Sequence, residues 1–162
     1  MLNKVAGIPV HVLVNHFVVV FVPLLIIGAI AYAAVPQWRK KIDWAVLILA
    51  VIAPISALIA KLSGQALRTD LIAKGYSGKP LANIDKHMGF GNMTLWLSIA
   101  LGVVALALVG YVWRTGRTPG ASEHVLARPI GVVVTVVLGA FLGYYVYRTG
   151  DSGAHNVWDG VV

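Results

Sequence analysis

The chain has 162 residues, of which 59% are hydrophobic and only 12% are charged, and its formal net charge is +7. A soluble domain carries about 25% charged residues, so this composition excludes an ordinary water-soluble enzyme, a disordered chain and a coiled coil. The absence of cysteine also excludes disulfides, c-type haem attachment and cysteine-bound zinc. The composition therefore predicts one integral membrane domain over residues 1–162.

Four long apolar stretches follow one another along the chain, and each approaches the ~20 residues with which a helix crosses a bilayer. They predict membrane spans at about residues 10–35, 44–62, 88–113 and 129–147. Only helices and closed barrels satisfy backbone hydrogen bonds in lipid, and these stretches lack the alternation of barrel strands. The predicted fold is therefore all-α, an up-down bundle of four transmembrane helices.

Proline and glycine residues inside the spans predict local features of this bundle. Pro23 and Pro54 each remove a backbone donor, so a kink is expected in the first and second spans. Gly139 and Gly143 form a GxxxG pair in the fourth span. Such a pair lets helices approach closely, and we expect it to pack within the bundle in preference to forming a dimer interface.

The basic residues predict which side of the membrane each loop occupies. Dense clusters of Lys and Arg flank the first loop, residues 36–42, and the third loop, residues 115–127. Cytoplasmic loops carry such clusters, so both loops are predicted inside and both termini outside. Anionic lipid accounts for the positive charge, and we predict no nucleic-acid partner.

Two polar segments accompany the predicted outer end of the bundle. In the long second loop, residues 63–73 have the pattern of an amphipathic extension lying on the membrane, which serves as a connector or as a lid. The polar tail, residues 151–158, is expected to fold back onto the interface.

Four of the histidines fall at one end of the predicted bundle. His11 and His16 begin the first span, His87 begins the third, and His155 follows the fourth. At 3.6 residues per turn, His11 and His16 point about 140° apart, whereas His11 and Asn15 share a helix face. We therefore expect His87 and at least one of His11 and His16 to face each other inside the bundle, with His155 or the tail covering them.

These histidines are candidate ligands, because neutral imidazole is the commonest protein ligand of haem iron, zinc and copper. The candidate ligands of a haem b are His11, His16 and His87, and His155 joins these three as a candidate ligand of a divalent metal ion. Asn15 is the predicted partner that fixes the tautomer of the His11 ring. Gly89 and Gly91 beside His87 leave room for a porphyrin. The alternative is a set of interfacial histidines that are hydrogen-bonded to backbone, amide or lipid phosphate.

The motifs around these histidines resemble those of a known family. Residues 7–11 (GIPVH) and 14–16 (VNH) resemble the opening of a family of bacterial four-span membrane proteins labelled domain of unknown function 2231, in which two histidines stand five apart. The resemblance continues at residues 85–89 and 148–154, and so covers the chain in order and spacing. It implies a multi-pass protein of the bacterial cell membrane.

The chain departs from the family pattern at two places. Val12 and Val18 stand where many members have proline, and Gln65 follows Gly64 where an acidic residue is expected. The second departure removes a carboxylate that would bind a metal strongly. The positions that the resemblance supplies are His11, His16 and His87, and it implies no activity.

Two functions remain after these exclusions. The favoured one is an accessory or structural subunit of a larger membrane complex, such as a respiratory complex, because the chain is small and has no catalytic signature. The alternative is a membrane redox protein that binds haem b or a metal at the histidines. A transporter is disfavoured because no charged residue lies in the middle of a span, and an enzyme because Ser56, Ser98 and Thr135 have no base nearby. The predicted partners are the lipid bilayer and other membrane subunits or a second copy of the chain.

Overall fold

The computed structural model describes residues 4–5, 8–117 and 126–158. Within these ranges the chain begins with a short antiparallel pair, β1 (Lys4–Val5) and β2 (Ile8–Pro9), in which Lys4 pairs with Pro9. The helices that follow are α1 (Val10–Ala34), α2 (Arg39–Ala73), α3 (Lys79–Arg117) and α4 (Ala127–Trp158). A single 3-10 turn, Pro36–Trp38, joins α1 to α2. Most of the predicted third loop, residues 118–125, lies outside the described residues.

The helices form an up-down bundle of the predicted kind. Each helix packs against the next along the chain, α4 closes against α1, and α1 meets α3 across the core. All four helices are long and apolar enough to cross a membrane. The prediction of an all-α bundle with four membrane spans is confirmed.

Many large apolar side chains of this bundle face outward, unlike those of a soluble protein. The core combines small side chains such as Ala53 with larger ones such as Leu101, both with no exposed surface. Other large apolar side chains point outward, including Ile27 at 64% exposure and Trp44 at 64%. Lipid solvates such side chains as well as a protein core does, so the bundle is held by close packing between its helices.

Glycines mark where the helices approach most closely. A Cβ atom at Gly139 would lie 3.0 Å from Cγ2 of Ile26 on α1, and one at Gly102 would lie 2.6 Å from the Ala50 carbonyl oxygen on α2. The GxxxG pair of α4 therefore packs inside the bundle, as expected. Both α1 and α2 continue as helix through their internal prolines, Pro23 and Pro54.

Two predictions about the outer end were wrong. Residues 63–73 are a continuation of α2, not a separate segment on the membrane, and the connection to α3 shrinks to residues 74–78. The tail does not fold back either, because α4 runs on to Trp158. Each extension keeps a buried residue, Leu71 at 5% exposure in α2 and Asn156 at 7% exposure in α4. Packing therefore extends the helices beyond the apolar stretches that the sequence displays.

Candidate cofactor-binding site

Two histidines face each other at the end of the bundle where α1 and α3 begin. His11 lies in the first turn of α1 and His87 in the third turn of α3. Their ring centroids are 6.0 Å apart and the ring planes cross at 82°. Both side chains are half-buried. The expected meeting of His87 with one of the two histidines of α1 is present in the structure, and the partner is His11.

The hydrogen bonds of His11 assign its tautomer. Its Nδ1 lies 3.0 Å from the Ala60 carbonyl oxygen and 3.2 Å from the Ser63 hydroxyl, both on α2. A carbonyl oxygen only accepts, so Nδ1 carries the proton and donates it. Nε2 then carries the lone pair, which accepts a hydrogen bond of 3.2 Å from the Asn15 amide. Asn15 thus contacts the ring from the position that the sequence predicts.

His87 has the same tautomer. Its Nδ1 lies 3.0 Å from the Ser152 hydroxyl oxygen on α4. That hydroxyl donates its own hydrogen to the Arg148 carbonyl at 2.7 Å, so it accepts from the Nδ1 proton of His87. The lone pair of His87 is therefore on Nε2, where the described part of the chain supplies no hydrogen-bond donor. Each histidine of the pair presents Nε2 as its available ligand atom.

The other two candidate histidines do not join the pair. His16 is exposed and its Nδ1 bonds to the Val12 carbonyl of its own helix at 3.0 Å. The side chain of His155 is 67% exposed, with Nδ1 2.9 Å from the Asp151 carbonyl. Within residues 8–117 and 126–158, no three His, Asp or Glu side chains are grouped as a metal site. The structure brings together two of the four candidate ligands, because residues five apart leave a helix in different directions.

Two cavities border the histidine pair. One of about 560 Å³ is lined by all four helices, and one of about 410 Å³ is lined mainly by α1, α2 and α3. His11, Asn15 and His87 line both. The C-terminal end of α4, which is the polar tail of the sequence, lines the first cavity beside the histidine pair. His155 lines neither cavity.

Two glycines that the sequence does not single out hold the rings in place. A Cβ atom at Gly64 would lie 3.0 Å from Cε1 of His11, and one at Gly153 would lie 3.0 Å from Cε1 of His87. Each ring therefore packs with its Cε1 edge against a helix position that has no side chain. Gly89 is exposed and a Cβ there would meet nothing within 4 Å, whereas one at Gly91 would lie 3.9 Å from Cγ2 of Thr149.

Cationic side chains of α2 line the cavities. Lys61 lines the second cavity and donates to the Asn92 side-chain oxygen at 2.7 Å. Arg68 lines the first and holds Asp85 through two contacts, of 2.6 and 3.2 Å. Lys61 and Arg68 are seven residues apart and so share one face of the helix. Both cavities thus combine apolar walls with a positive charge on α2.

Comparison with known proteins gives one match. A family model described as "Predicted membrane protein (DUF2231)" matches residues 7–162. No curated protein and no solved structure matches the chain. The matched range includes every residue of the histidine pair and its surroundings.

Proposed function

The chain belongs to the DUF2231 family of predicted membrane proteins, and on that premise we propose that it is a membrane redox protein that binds one haem b between His11 and His87. The observation that carries this proposal is the pair of facing imidazoles, each with its lone pair on Nε2. Held by these two histidines, such a group would supply electron transfer.

The spacing of the rings supports ligation of one metal centre by both. Two metal–nitrogen bonds of ~2.0–2.1 Å in line, plus about 1.1 Å from each nitrogen to its ring centre, give about 6.3 Å between imidazole centres. The observed distance between the ring centroids of His11 and His87 is 6.0 Å. The ring spacing is therefore within a few tenths of an ångström of the value expected for one metal held by both rings.

The tautomers support the same proposal. A histidine that binds a metal almost always donates its other ring N–H to a carbonyl, a carboxylate or a water, which orients the ring and raises its basicity. His11 donates from Nδ1 to the Ala60 carbonyl, and His87 donates from Nδ1 to Ser152. Binding at Nε2 of His11 replaces the hydrogen bond from Asn15 and leaves the Nδ1 contact intact.

The cavities favour a broad, flat group over a single ion. A tetrahedral site needs three or four protein ligands, and this pair supplies two. A macrocycle is broader than the two imidazoles that would hold it, and the two cavities that border the pair would provide space for it. Lys61, which donates to the neutral Asn92 amide, would neutralise one of its carboxylates, whereas the charge of Arg68 is already paired with Asp85.

The absorption spectrum of the purified protein tests this proposal. We expect a dithionite-reduced spectrum with a sharp α-band in the green and about one haem per chain, since two histidines form one site. The protein should be produced with added haem precursor and also reconstituted with haem in detergent. A flat visible spectrum in both preparations contradicts the proposal and leaves an accessory subunit without its own cofactor.

Electron transfer requires a donor and an acceptor, so we also propose that the chain works as a subunit of a larger membrane assembly in the bacterial cell membrane. Its outward apolar side chains, such as Ile27 and Trp44, form a surface that can contact lipid, other subunits or a second copy of the chain.

The proposed orientation places the histidine pair at the outer face of the membrane. Arg39 and Arg128 lie at the opposite end, where they donate to the last carbonyls of α1. Because basic clusters mark cytoplasmic loops, a reporter active only after export should be silent when fused after Arg117. The matched fusion after Gly75 should be active. The reverse pattern would invert the orientation and leave the bundle unchanged.

A further inference from the structure

The first two helices, α1 and α2, and the last two, α3 and α4, show the same pattern of buried positions. The matching helices also run in the same direction. A shift of 76 residues, the interval from His11 to His87, relates buried positions of α1 to buried positions of α3. The related pairs, all at most 1% exposed, are Val22 with Ser98, Leu25 with Leu101 and Ala29 with Ala105. The pattern of burial therefore recurs along the helix that carries each histidine.

A second shift relates α2 to α4. Its size is 89 residues, the interval from Ser63 to Ser152. The related buried pairs are Val46 with Thr135, Ala50 with Gly139 and Ala53 with Leu142. Each half is thus a helical hairpin, and the second hairpin repeats the first with its helices pointing the same way.

The repeat includes the surroundings of both histidines. Ser63 donates to the carbonyl three residues earlier at 3.0 Å, and Ser152 donates to the carbonyl four residues earlier at 2.7 Å, with the carbonyl three residues earlier at 3.2 Å. Each serine oxygen contacts Nδ1 of a histidine from the other helix of its hairpin, at 3.2 Å for His11 and 3.0 Å for His87. The glycine that follows each serine lies against Cε1 of the same ring, with the identical 3.0 Å for an added Cβ.

We infer that the site consists of two equivalent sockets, Ser63–Gly64 for His11 and Ser152–Gly153 for His87, in which the serines are positioning residues for the two ligand histidines. This inference rests on the proposed haem ligation. It also specifies the ligand class more closely, because two equivalent sockets suit a planar group bound in the same way from both faces.

The hydrogen bond at Nδ1 gives each serine its effect on the iron. A donor bond from Nδ1 makes Nε2 more basic, which strengthens its bond to iron and favours the ferric form. The serine is one of two acceptors at each ring, because His11 Nδ1 also contacts the Ala60 carbonyl and His87 the Thr149 backbone. Loss of the hydroxyl removes one acceptor from Nδ1, so it weakens haem binding and raises the reduction potential. Outer partners of metal ligands typically contribute about 10–100-fold in affinity.

The test compares Ser63→Ala and Ser152→Ala with two matched controls in haem titrations and redox titrations. Ser56→Ala and Ser98→Ala remove hydroxyls that bond in the same way to the carbonyl three residues earlier, yet contact neither histidine. We expect each socket variant to weaken haem binding about 10–100-fold and to raise the reduction potential, whereas both controls keep wild-type values. Equivalence is overturned if only one socket variant changes these values, or if neither does.

Histidine ¹⁵N spectra of the haem-free protein separate this inference from the proposed function. Both rings should show the Nδ1–H tautomer, with Ser63→Ala shifting only the His11 Nδ1 signal and Ser152→Ala only that of His87. Spectra of this kind in a protein that takes up no haem would leave the sockets standing and refute the haem proposal. An Nε2–H tautomer at either ring would overturn the sockets whether or not haem binds.

Discussion

Replacing His87 with alanine is expected to abolish haem binding, so that the purified variant shows no α-band and no haem in a stoichiometric assay. The reason is that His87 supplies one of the two Nε2 atoms proposed as ligands, and the described part of the chain groups no third histidine with His11 and His87. His11→Ala should have the same effect, since the two rings lie in equivalent positions. The measurement is the dithionite-reduced spectrum after reconstitution with excess haem.

His155→Ala is the matched control for this prediction. It removes an imidazole at the same end of the bundle, from a side chain that is 67% exposed and lies outside both cavities. We expect it to retain a full complement of haem. Retention of haem by His87→Ala, or its loss from His155→Ala, would place the ligand set elsewhere. Thermal unfolding of each variant in detergent separates loss of a ligand from loss of the fold.

Most of the fold could be predicted from the sequence because hydropathy is a local property. Stretches of about 20 apolar residues indicate their own membrane spans, and four of them with short loops leave few arrangements other than an up-down bundle. The extensions of α2 and α4 could not be predicted this way. Their polar residues carry no hydropathy signal, and they remain helical because Leu71 and Asn156 are buried by neighbouring helices.

The candidate site was predictable in part. Alternation of the spans brings the starts of the first and third helices together, and this places His87 near the histidines of α1. Which of those two faces inward depends on the Ala60 carbonyl and Ser63 of α2, which contact His11 and leave His16 outside. Such contacts join residues about 50 positions apart, so spacing along one helix does not reveal them.

The sockets had a sequence signal that is evident once the structure is known. The dipeptide Ser-Gly occurs three times, at 77–78 between α2 and α3, and at 63–64 and 152–153 near the C-terminal end of the second and fourth helices. Small residues are common in membrane helices, so a Ser-Gly pair alone indicates no ligand site. The Ser-Gly dipeptide becomes informative because one contacts a histidine in each hairpin. This supports the assignment of both dipeptides to the positioning of a histidine.

A methyl group added at Gly102 is expected to destabilise the bundle by about 1–3 kcal/mol, the usual range for overpacking a tight core. The Cβ of Gly102→Ala would lie 2.6 Å from the Ala50 carbonyl oxygen, and a backbone atom cannot rotate away as a side chain can. The Ala50 carbonyl can face α3 because it lacks its usual hydrogen-bond donor within α2. That donor would be the backbone N–H of residue 54, and Pro54 has none.

Gly110→Ala on the same helix is the control, because a Cβ there meets nothing within 4 Å. Alanine is the better helix former by about 0.5–1 kcal/mol, so this variant should unfold at the wild-type temperature or slightly above it. Thermal unfolding in one detergent, followed by circular dichroism, measures both variants. Equal stability of Gly102→Ala and wild type would show that α2 and α3 do not approach as closely as this contact requires. A selective loss in Gly102→Ala would instead identify the proline-freed carbonyl as the point where the two hairpins dock, since Ala50 belongs to the first hairpin and Gly102 to the second.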